Sequence, residues 1–88
     1  VTVSNLWSET VLFVVRGEGT VLAGPVSVVP GTSKSVTVEA AGPVVVRVFD
    51  REQKHGTEIE ATVSNAHITV TGAPDHVLKK ATAGDRVD

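Results

Sequence analysis

Eighty-eight residues with a net charge of −2 suffice for one small domain around a single core. The eight Lys and Arg are scattered and only Trp7, Phe13 and Phe49 are aromatic, which argues against a nucleic-acid binder, and the apolar runs are too short for a membrane-spanning helix. Cysteine is absent, excluding disulfides, thiol nucleophiles and zinc–thiolate sites while leaving the redox compartment open.

About a fifth of the residues are valine, a side chain stiff at χ1 and suited to a pleated sheet. Alternation with period two recurs along the chain, and helical periodicity hardly at all. Val1 to Ser4 alternates and gives a first strand, followed by a polar break at 5–9 that contains Trp7. Thr10 to Arg16 is apolar on both faces, as a central strand would be. Gly17-Glu18-Gly19 is expected to turn tightly, with its two glycines taking positive φ. Thr20 to Ala23 and Val26 to Val29 are strand pieces separated by Gly24-Pro25, which reads as a bulge or as a bend between sheets. Pro30-Gly31 fits the central positions of a type II turn.

Ser35 to Glu39 alternates again, with Val36 and Val38 on one face. After a break at 41–43, Val44 to Asp50 places Val44, Val46 and Val48 on one face and Val45, Arg47 and Phe49 on the other. Arg51 to Gly56 is a charged loop. Thr57 to Val63 and His67 to Thr71, reversed at Ser64-Asn65-Ala66, are expected to pair as a hairpin with one wet face. Beyond Gly72 two readings stay open: a short helix over His76 to Ala83 capped by Asp75, or a frayed tail.

Six to eight short strands at this spacing predict an all-β fold, a small antiparallel β-sandwich. Its likeness to immunoglobulin domains is one of architecture only, because the paired cysteines are missing. Residues 1–72 are expected to form the sandwich and 73–88 a C-terminal tail.

The candidate binding residues are Trp7 and Asn5 in the first loop and Arg51, Glu52, Lys54 and His55 in the charged loop. A tryptophan among polar neighbours serves as a stacking platform for a sugar or a contact hot spot, and it equally serves as a plug for the end of a valine-built core. Glu58 and Glu60 share one strand face, about 7 Å apart, and read as a solvated edge more readily than as a carboxylate pair for catalysis or calcium. His55, His67 and His76 have no spacing that presents two ligands to one metal. No serine sits in a nucleophile elbow or pairs in sequence with a histidine and an acid. No metal, cofactor or enzymatic activity is therefore expected.

The leading expectation is a non-catalytic binding or interaction module. Loops at one end of the sandwich, 5–9, 30–34 and 51–56, would present its surface to a protein or carbohydrate partner. The alternatives are a self-assembling subunit, a homo-oligomer that covers the Val45 and Phe49 face or adds a strand at an edge, and a small secreted effector such as an inhibitor, lectin or toxin. The chain has no methionine, even at position 1, which reads as a processed protein, an excised piece or a removed initiator. An extracellular setting or a place within a larger protein is the favoured reading of its compartment.

Overall fold

The computed structural model describes residues 1–54, 56–63, 66–74, 80–82 and 86–87. They form two packed sheets, the all-β sandwich that the alternating valines require. The strands are β1 (Thr2–Asn5), β2 (Val11–Gly17), β3 (Thr20–Val28), β4 (Ser33–Ser35), β5 (Val44–Asp50), β6 (Gly56–Ala61), β7 (His67–Val70), β8 (Lys80–Thr82) and β9 (Arg86–Val87). One sheet has the order β4-β1-β7-β9, and the other β3-β2-β5-β6-β8. Val3, Ile68 and Val70 from the first sheet meet Val11, Phe13, Val15, Val44, Val46, Val48 and Ile59 from the second, all of them fully buried. These are every second residue of their strands, so the pleat itself sorts dry from wet.

β2 and β5 lie inside the five-stranded sheet, as their two apolar faces suggested. Their outward residues Leu12, Val14, Val45 and Phe49 are half-buried, while Arg16 and Arg47 are exposed. Gly24-Pro25 is a bulge within β3, not a bend between sheets. Phe13 pairs with Val26 and Val15 with Ala23, leaving one extra residue on β3. Gly24 is obligatory there: its φ is +96°, and a Cβ would stand 2.6 Å from the Phe13 carbonyl oxygen. Pro30-Gly31 makes the expected turn, with Gly31 at φ +78° and the Thr32 N–H donating to the Val29 carbonyl at 3.2 Å.

Four local expectations are corrected. β6 and β7 do not form a hairpin. β6 pairs antiparallel with β5, and β7 pairs parallel with β1 in the opposite sheet. Ile59 and Ala61 share one buried core with Ile68 and Val70 from the opposite sheet, because an inward alternation is satisfied equally well from either sheet. Pairing is not antiparallel throughout: β1–β7, β6–β8 and β7–β9 are parallel. In the turn after β2, positive φ falls on Glu18 (+51°) and Gly19 (+80°), not on Gly17. The fourth strand ends at Ser35, and Val36 and Val38 turn inward from irregular backbone.

In the C-terminal segment no helix runs over Lys80–Thr82, which is strand β8 beside β6, while Arg86–Val87 lies beside β7. The remainder of the expected helix, His76 included, lies outside the described residues.

Candidate functional site

Register brings three loops to one end of the sandwich. Val11 pairs with both Val28 and Asp50, and Asn5 pairs with Val70. The connections β1–β2, β3–β4 and β5–β6 therefore emerge side by side, as the sequence suggested.

Asn5 organises this end. The period set by Val1 and Val3 carries it onto the dry face of β1, where it is fully buried. Its Nδ2 donates to the carbonyls of Glu9 at 2.7 Å and Val28 at 2.9 Å. Its Oδ1 accepts the backbone N–H of Trp7 at 2.9 Å, an Asx-turn that fixes the start of the loop. On its backbone, Asn5 N–H donates to Thr32 and its carbonyl accepts from Gly31, tying the β3–β4 turn to the same point. Asn5 thus lies beneath the surface rather than on it, and positions the residues that are.

The β5–β6 loop is built around Asp50. Its carbonyl accepts the Gln53 N–H at 3.0 Å and its Oδ1 the Lys54 N–H at 2.8 Å. Gln53 takes φ +60° to close the turn. Lys54 Nζ lies 3.1 Å from Glu52 Oε2, both side chains well exposed, so this pair contributes little to stability.

Between the two loops lies an open cleft of ≈ 560 Å³ lined by Trp7, Glu9, Thr10, Asp50, Arg51 and Glu52. Trp7 is half-buried and packs on the core while also walling the cleft. Of the sequence candidates, Trp7, Arg51 and Glu52 meet here, Lys54 joins through Glu52, Asn5 supports from below, and His55 lies outside the described residues. Glu9, Thr10 and Asp50 are additions. So are Leu6, 66% exposed, and Val29, 50% exposed, which flank the loop end as apolar residues in contact with water. An apolar residue inside a polar break was the available signal for Leu6.

Glu58 and Glu60 lie on the outward face of β6, in register with Arg47 and Val45 and away from the cleft. His67 is exposed on β7, its Nε2 3.0 Å from Ser4 Oγ, a pairing that sequence distance concealed. Among the described residues no carboxylate bonds this ring, and the pair sits on a strand face lined by the hydroxyls of Ser4 and Ser33. No group of three or more metal-ligating side chains occurs among the described residues, nor do they contain a helix long and apolar enough to cross a membrane. Comparison with protein-family models, curated proteins and solved structures finds no match for this chain.

Proposed function

We propose that the domain is a non-catalytic binding module that engages a protein or carbohydrate partner through the loop end of the sandwich. The observation that carries this reading is the cleft shared by the lone tryptophan and by a loop distant from it in sequence. An indole beside carboxylates and a guanidinium supplies stacking area together with oriented hydrogen-bonding groups. Both loops hang from strands, and the first is pinned by Asn5, which lowers the ordering cost of binding. Asp50 and Glu52 are engaged within their own turn, which favours contact over acid–base chemistry.

Screening glycan and peptide arrays, then titrating each hit against Trp7 fluorescence, tests the reading. Hits are expected to shift the emission of the single indole. Trp7→Ala and Arg51→Ala, each retaining a strand-type circular dichroism spectrum, should each lose about tenfold or more in affinity. A hit bound equally well by both folded variants contradicts it, and silence from both arrays removes those partner classes.

A further inference from the structure

We propose that the outer edge of β3 is a pairing edge for a second copy of this chain, with Thr20–Ala23 of two molecules lying antiparallel so that their five-stranded sheets join edge to edge. β3 pairs, among the described residues, only with β2. Its outer N–H and C=O groups face away from the sheet, their alternation broken at Leu22, where the register shifts between Val15↔Ala23 and Arg16↔Val21. Among the described residues no backbone hydrogen bond reaches this outer edge between Thr20 and Ser27. The segment from Glu39 to Pro43 borders Leu22 across a cavity of ≈ 200 Å³ but adds no strand there. The group such an edge lacks is another extended backbone, which is what identifies the occupant as a strand.

Side chains point to the chain itself as the source of that strand. From Thr20 to Val29 there is no charged residue, whereas exposed natural edges are commonly guarded by lysine or glutamate. Of the four large hydrophobics exposed among the described residues, Val21 (49%) and Leu22 (37%) sit on this half of β3, and the other two belong to the loop end. Antiparallel pairing centred near Val21 sets apolar side chains against their own copies and brings no like charges face to face. Pro25, with no N–H to give, stops the pairing short of the second half of β3. The other edge strands, β4, β8 and β9, offer two or three residues each. So short a seam makes a reversible, concentration-dependent dimer rather than a permanent one.

Sedimentation equilibrium of the full chain over rising concentration, combined with amide hydrogen exchange, tests this. A monomer–dimer equilibrium is expected, with exchange at Thr20–Ala23 slowed about tenfold or more in the dimer. Val21→Lys should abolish both effects without altering the circular dichroism spectrum, and Leu6→Lys at the loop end should alter neither. A chain that stays monomeric to millimolar concentration, a dimer indifferent to Val21→Lys, or one dissolved by Leu6→Lys overturns the proposal.

Discussion

Asn5 shows how one buried polar side chain can set the geometry of a surface it does not join. Its amide group satisfies two carbonyls and one N–H from two stretches of chain, the β1–β2 loop and the end of β3. Replacing it by alanine leaves all three without that partner, each at a cost of roughly 1–3 kcal/mol when buried. Asn5→Ala is therefore expected to lower stability by about 3 kcal/mol in urea unfolding, whereas truncating an exposed loop residue such as Arg51 should change it little. A midpoint unchanged in Asn5→Ala would mean the amide does not organise the loop. The sequence reading placed Asn5 in the polar loop as a contact residue, and its burial corrects this: the parity of Val1 and Val3 continues one residue further than the polar break suggested. Its partners were not legible either, because Val28 reaches it only through the sheet packing. Trp7 was more legible: plug and platform were both readable alternatives, and the half-buried ring packs on the core while lining the cleft.

At the scale of elements, turn chemistry was readable wherever one residue type decides it, as at Pro30-Gly31. It was less so after β2, where glycines on both sides hid which two positions carry positive φ. The loop there has two residues, Glu18 and Gly19, both with positive φ, the type I′ geometry that matches strand twist. Glutamate is a poor occupant of the first position and asparagine a favoured one. Glu18→Asn is thus expected to raise stability by about 0.5–1 kcal/mol, seen as a higher thermal midpoint. A drop in the midpoint would show that the glutamate side chain contributes something the backbone does not require. The β6–β7 pair teaches a different limit. Ile59, Ala61, Ile68 and Val70 announce four inward positions, yet alternation specifies a face and not a sheet. Crossing between sheets was invisible because it depends on β1 already waiting to pair with β7.

For the whole molecule, the sandwich was legible because valine at alternate positions leaves each strand with one dry side, and two dry sides must meet. Which loops gather at one end followed less directly, from the antiparallel path β2–β3 and β2–β5 that returns the chain to the same pole. The outward apolar residues of β2 and β5 that invited a covering partner are half-buried by their own neighbours, and the more exposed apolar surface lies instead on the β3 edge and the loop end. The proposed binding end, with its aromatic cleft, and the proposed pairing edge, without charge from Thr20 to Val29, are then separate regions of one body.

The claim on which this separation depends is that the Trp7 loop and the Arg51 loop share one pole of a body 34 Å long. Because the chain has no cysteine, Arg51→Cys provides a unique, exposed site for a nitroxide label. Paramagnetic broadening of the indole N–H of Trp7 and the amides of Glu9 and Thr10, with Glu18 and Gly42 at the opposite pole remaining sharp, is the predicted result. A sharp Trp7 signal beside broadened Glu18 and Gly42 would contradict the account.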